Sequence, residues 1–142
     1  MLIYLDNCCF NRPFDDQRYL SINLETQAKI FVQQEILSGQ LKLLWSYILE
    51  HENNRNPFDI RRDTISEWKN IAYKTILESE EVLSFGETLM MQNVKLYDAL
   101  HIACAYVGKC DYFLTVDKNL LNKNINSINI CSPIDFIHKL EV

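Results

Sequence analysis

Apolar and polar positions fall into blocks along this chain, and the period within each block predicts its structure. Ile3 to Leu5 is an apolar run too short for a helix and suited to a buried strand, and it stops at Asp6. Arg12-Pro-Phe-Asp-Asp16 reads as a loop, because Pro13 fixes its own φ and steers Arg12 away from the helical region. Leu24, Ala28, Phe31, Val32 and Ile36 then recur at helical spacing, predicting an amphipathic helix from about Ser21 to Ser38 with Gly39 as its stop. Leu41 to Trp45 predicts a second strand. Ser46 is placed to cap a helix running to about Asn53, which Arg55-Asn-Pro57 breaks.

Asp59 opens a further predicted helix carrying Ile60, Ile65, Trp68, Ala72 and Ile76 on one side. A strand around Val82 to Ser84 and a short helix over Gly86 to Gln92 follow. Leu96 to Val107 is apolar nearly all round and so reads as a buried helix, which Gly108 ends. Tyr112 to Val116 is the next strand and stops at Asp117. Asn129 to Cys131 gives a fourth, and Pro133 begins a last helix at the position proline favours. Strands alternating with helices predict an α/β protein, a three-layer α/β/α sandwich around a mainly parallel sheet.

Length and composition narrow the picture. The 142 residues fit one domain spanning 1–142, with 48% hydrophobic residues for its core and a net charge of −5. An acidic balance argues against broad duplex binding through many basic contacts to phosphate. No apolar stretch approaches the roughly 18 residues needed to cross a bilayer, and the opening Met1-Leu-Ile-Tyr-Leu-Asp6 lacks the basic start of a signal peptide, so a soluble, cytoplasmic protein without membrane association is expected. Five cysteines with no CxxC pair are expected as reduced, buried thiols, and they and His51, His101 and His138 lack zinc-site spacing. With three glycines, the chain has neither GxGxxG nor GxxxxGK[ST].

The candidate chemistry is carboxylate chemistry. Open α/β sheets bind ligands beyond the carboxyl ends of their strands, and Asp6 and Asp117 each follow a predicted strand. Asp98 lies in the first turn of the apolar helix, where the dipole favours a carboxylate, so a plain helix-terminal charge is the competing reading. Glu52 shares a helix face with Ile48 and should point inward. There it needs a cation or an ion pair, for which Arg12 and Arg55 are the candidates; Glu50 takes its place if the helix begins elsewhere. Four carboxylates at one sheet edge suit hard divalent cations, Mg²⁺ or Mn²⁺, and phosphodiester hydrolysis, in which metal activates water and neutralises developing charge.

The order Leu-Asp6-Asn, Ser46-x5-Glu52, Asp98-Ala-Leu-His-Ile-Ala-Cys104 and Phe-Leu-Thr-Val-Asp117-Lys-Asn-Leu resembles the PIN-domain family over nearly the whole chain. The resemblance implies a Mg²⁺- or Mn²⁺-dependent ribonuclease fold, most often that of the toxin in a toxin–antitoxin pair. Asp6, Glu52, Asp98 and Asp117 fall on the family's four acidic positions, and Thr115 matches a hydroxyl that supports the last acid. Asn7 and Cys8 depart from the pattern, since many members carry a hydroxyl residue after the first Asp. Asn7, Thr115 and Asn119 are expected in supporting roles; Asn119 orients a water, touches the phosphate, or caps a helix.

RNA is the expected substrate. Arg55, Arg61, Arg62, Lys69 and Lys74 outnumber Asp59, Asp63 and Glu67 over residues 53–74, a modest excess that a solvated helix face explains equally well. The helix from Ile22 to Ile36 and the face around Trp68 could serve an antitoxin or a homodimer, although apolar residues there also cover the sheet. Two rivals remain. A dehalogenase-type phosphatase would want a second Asp two residues after Asp6, where Cys8 stands, and a non-catalytic PIN-like module would bind RNA or a protein without cleaving it.

Overall fold

In a computed structural model that describes residues 1–141, five strands run β1 (Leu2–Leu5), β2 (Lys42–Ser46), β3 (Lys74–Ile76), β4 (Tyr112–Leu114) and β5 (Asn129–Cys131). They form one sheet in the order β3-β2-β1-β4-β5, and every pairing is parallel. The helices are α1 (Asn7–Asn11), α2 (Leu20–Leu37), α3 (Tyr47–Asn54), α4 (Asp59–Ser66), α5 (Trp68–Ile71), α6 (Glu80–Met90), α7 (Leu96–Val107), α8 (Lys118–Leu121) and α9 (Pro133–Leu140), with one 3-10 turn at Arg12–Phe14.

The alternation of side chains along each strand makes this sheet the middle of a sandwich. Tyr4, Phe113 and Leu44 share one face through register; Tyr4 stacks on Phe113 at 5.2 Å and reaches His101 of α7. Tyr112 and Trp45 point the other way. Tyr112 meets Phe136 of α9, and Trp45 meets Phe10, which lies under α2. Both faces are thus covered, as parallel sheets require, and the fold is the three-layer α/β/α sandwich predicted. Gly108 lets α7 end directly on the sheet: a Cβ there would lie 2.5 Å from Leu44 Cδ2 and 3.0 Å from the Cys104 carbonyl.

After β1 the chain moves outward through β2 and β3, then returns to place β4 on the opposite side of β1. This reversal opens a crevice beyond the carboxyl ends of β1 and β4, the place where doubly wound sheets bind ligands.

Several elements differ from expectation. The helix opened by Asp59 breaks at Glu67 and stops at Ile71, and the residues expected to continue it instead form β3, so the sheet has a fifth strand. Tyr73 N donates to the Leu43 carbonyl, which draws this segment onto the sheet edge. No strand forms at Val82 to Ser84; Ser79 accepts from Val82 N and caps a helix that already covers those residues. The loop after β1 contains α1, capped by Asp6, and the turn at Pro13 is 3-10. The fourth strand ends at Leu114, short of Val116.

On α2, Ala28, Val32 and Ile36 are buried against the core, whereas Leu24, Ile30, Phe31 and Leu37 are exposed. Among the described residues no helix is long and apolar enough to cross a membrane.

Candidate functional site

At the reversal point Asp6, Glu52, Asp98 and Asp117 line one cleft of about 780 Å³, together with Asn7, Cys8, Lys95 and Tyr97. Each acid arrives on a different element. Asp6 ends β1, and its amide donates to the Leu114 carbonyl at 2.9 Å, which continues the sheet pairing for one more residue. Its carboxylate accepts from Asn7 N at 2.8 Å and from Thr115 Oγ1 at 2.9 Å, so a side chain only 6% exposed is satisfied as a charged acceptor.

Asp117 caps α8 by accepting from Asn119 N at 2.9 Å, and its own amide donates to Thr115 Oγ1 at 3.1 Å. Thr115 therefore supports the last acid through the backbone and the first acid through its side chain, a wider role than the sequence motif implied. Asn119 is not the cap. Asp117 is, while the exposed Asn119 contributes its backbone amide and lies outside the residues lining the cleft. The hydroxyl missing after Asp6 is replaced in part by Cys8, whose thiol lies 3.3 Å from Thr115 Oγ1 and donates to Asp6 Oδ2 at 3.5 Å.

Ser46 caps α3 as expected, accepting from Leu49 N at 3.1 Å, and this settles the two glutamates. Glu50 faces outward and pairs with Lys69 at 2.6 Å, whereas Glu52 turns into the cleft. Neither Arg12 nor Arg55 pairs with Glu52: Arg12 binds Asp15 and Glu25, and Arg55 reaches the Tyr97 hydroxyl. The partner is His101, whose Nε2 donates to Glu52 Oε1, while Asn7 Nδ2 donates to Oε2 at 3.4 Å.

In the sequence His101 is weighed only as a zinc ligand and is assigned no role at the carboxylate site. The available signal was its spacing three residues after Asp98, which puts both on one face of α7. Its Nδ1 lies 2.5 Å from the Tyr4 hydroxyl, which in turn lies 2.7 Å from Ser46 Oγ. Burial by itself would strip the imidazole of its proton, but the hydrogen bond to Glu52 and the charges of Asp6, Glu52 and Asp98 hold its pKa above the usual value.

Asp98, in the first turn of α7, is pushed up to about 6, first by burial and then by the charges of Asp6 and Asp117. No Lys or Arg among the described residues pairs with any of the four acids. The cleft is therefore a crowd of oxygen donors short of positive charge. Among the described residues no three His, Cys, Asp or Glu side chains close round a single point tightly enough to enclose an ion. The donor set nevertheless fits Mg²⁺ or Mn²⁺ in its chemistry, since such cations are commonly held by one or two carboxylates and keep water for the rest of their shell.

The cysteines differ in burial. All are free thiols; Cys9, Cys104 and Cys131 are buried, Cys8 and Cys110 half-buried. Burial pushes Cys104 and Cys110 up to about 12, which leaves them as inert thiols. The basic residues after α3 are mostly occupied: Arg62 pairs with Asp59 and Asp63, Lys69 with Glu50, and Arg61 lies over Phe14 and Phe58.

No protein-family model matches the chain, and no curated protein matches it in sequence. Solved structures do share its fold. A chain of VapBC2 from Rickettsia felis, crystallised bound to a DNA fragment from their promoter, superposes with a TM-score of 0.59 at 12% identity. A chain of FitAcB from Neisseria gonorrhoeae superposes with a TM-score of 0.58, also at 12% identity. In both cases 93% of this chain and 98% of the other are covered, so the likeness extends over the whole fold.

Proposed function

We propose that this chain is a Mg²⁺- or Mn²⁺-dependent ribonuclease that hydrolyses RNA phosphodiester bonds, acting as the toxin of a toxin–antitoxin pair. The observation that carries the reading is the meeting of four carboxylates, from the end of β1, α3, α7 and the turn before α8, in one cleft where burial first, and then the charges of Asp6 and Asp117, raise Asp98 to about 6. Such crowding costs stability unless a cation relieves it. The fold shared with VapBC2 and FitAcB supports a toxin–antitoxin-related role, and the ordered acidic motifs support the activity.

In this reading Asp6, Asp98 and Asp117 would hold the metal, with Glu52 beside them. When bound, the metal would lower the pKa of water and offset charge developing on the phosphate. The chain's own groups set the geometry. Thr115 and Asn7 N orient Asp6, the cap of α8 orients Asp117, and His101 with Asn7 orients Glu52. Lys95 and Tyr97 line the mouth of the cleft, where an RNA backbone would enter.

Calorimetric titration of the metal-free protein with Mn²⁺, followed by anomalous diffraction from Mn²⁺-soaked crystals, tests the site. Binding that places Mn²⁺ among Asp6, Asp98 and Asp117 is expected. An empty cleft at millimolar Mn²⁺ would favour the rival, a non-catalytic PIN-like module.

A further inference from the structure

Glu52 reaches the cleft on the longest side chain of the four acids. Asp6 is fixed by its own hydrogen bonds and Asp117 by a helix cap, whereas the Glu52 carboxylate hangs from a longer side chain, among three like charges and one helical turn from the exposed cation of Arg55. Left free, it would lower its energy by rotating out of the cleft. It stays because His101 Nε2 donates to Oε1, with Asn7 assisting at Oε2.

His101 cannot follow Glu52 outward. It is 1% exposed on α7, and its second nitrogen is bound to Tyr4, which is bound to Ser46, the residue that caps α3. The chain of contacts thus closes on itself: the residue that starts the helix of Glu52 is tied, through β1 and α7, to the group that holds the Glu52 carboxylate. We infer that His101, backed by Tyr4 and Ser46, is a positioning residue that fixes Glu52 facing into the cleft. The inference rests on the ribonuclease reading of that cleft.

A purely structural histidine and a positioning histidine differ in what their loss affects. Partners that orient residues of a metal site usually contribute about 10- to 100-fold to activity or affinity when removed. Asp6 and Asp117 keep their own hydrogen bonds in His101→Leu, so kcat on a fluorogenic RNA should fall about 10- to 100-fold, while KM and the calorimetric Mn²⁺ affinity stay within about threefold. His101→Gln keeps an N–H for Glu52 and should recover part of the lost kcat. Tyr4→Phe, which frees Nδ1, should fall between the wild type and His101→Leu.

The metal-free protein supplies a readout independent of catalysis. The wild type should show a far-downfield imidazole N–H proton, assigned by its loss in His101→Gln, and Glu52→Gln should move it upfield. A folded His101→Leu protein with wild-type kcat would overturn the inference. So would a parallel fall of kcat, Mn²⁺ affinity and melting temperature without recovery in His101→Gln. If His101→Leu does not fold, His101→Gln and Tyr4→Phe decide by the same measures. If the wild type cleaves no RNA, the nuclease reading fails, and the resonance decides the positioning claim alone: a shift in Glu52→Gln sustains it and an unmoved line refutes it.

Discussion

Thr115 Oγ1 donates to Asp6 Oδ2 at 2.9 Å across the junction of β1 and β4, 109 residues apart in the chain. Both side chains are buried, so this is a hydrogen bond to a carboxylate shielded from water. Bonds of this kind contribute about 1.5–3 kcal/mol, and removing one partner leaves the other short of a contact. Thr115→Val should lower stability by about 1–3 kcal/mol in urea denaturation at pH 7, and Thr115→Ser should cost clearly less. A larger loss in Thr115→Ser than in Thr115→Val would show that the methyl group, not the hydroxyl, matters.

Asp98 separates stability from function. Its folded pKa, about 6, lies above the ordinary carboxylate value near 3.8, so the fold favours the neutral acid. The associated stability is fully present below about pH 4 and is lost as pH rises through about 6. Asp98→Asn removes this loss, and the metal-free variant should exceed the wild type by about 1–2 kcal/mol at pH 8, with the gain shrinking below pH 5. A helix-terminal charge acting alone would give the opposite sign, a loss of up to about 1 kcal/mol. Thermal melting in EDTA across this pH range distinguishes them.

Two glutamates two residues apart should behave differently. Glu50 pairs with Lys69 at the surface, both side chains more than 40% exposed, and such pairs contribute about 0–1 kcal/mol. Glu50→Gln should leave both stability and RNA cleavage near wild type, whereas Glu52→Gln should lower kcat by at least about tenfold. Steady-state cleavage rates of the two purified variants provide the check, and a loss of activity in Glu50→Gln alone would reverse the assignment.

Much of this was legible in the sequence, because the informative residues act locally. Ser46 and Pro133 mark helix starts through side-chain and ring geometry that neighbours do not change, and the runs at Ile3 and Tyr112 end in acids that a parallel sheet must bring to one edge. The failures are tertiary. Ile76 of β3 is in phase with the helix before it, and only the pairing of Lys74–Ile76 with β2 turns the segment into a strand. Asn7–Asn11 has little helical pattern and is started by Asp6, which already looked committed to chemistry. His101 needed Tyr4 and Glu52 beside it, and both are more than 45 residues away in the chain.

Lys29 is 4% exposed on α2, with its ammonium over the rings of Phe10 at 5.4 Å and Trp68 at 6.0 Å and no ion pair among the described residues. Burial lowers its pKa to about 8. The penalty of holding it charged is therefore complete below about pH 8 and disappears as pH rises toward the unfolded value near 10.5. Lys29→Met should raise stability by about 1–3 kcal/mol at pH 7, and the difference from wild type should narrow between pH 8 and 10. A destabilised variant would mean that the cation–ring contacts outweigh desolvation.

The central claim is that the carboxylate cleft cleaves RNA with a divalent cation, and the most direct measurement is hydrolysis of a fluorogenic RNA by the wild type and by Asp98→Asn, each in EDTA and in Mg²⁺ or Mn²⁺. The account predicts cleavage by the wild type only with added metal, and none by Asp98→Asn although it melts at or above the wild-type temperature in EDTA. Wild-type protein that leaves RNA intact in both metals, or a folded Asp98→Asn protein that cleaves at the wild-type metal-dependent rate, would contradict it.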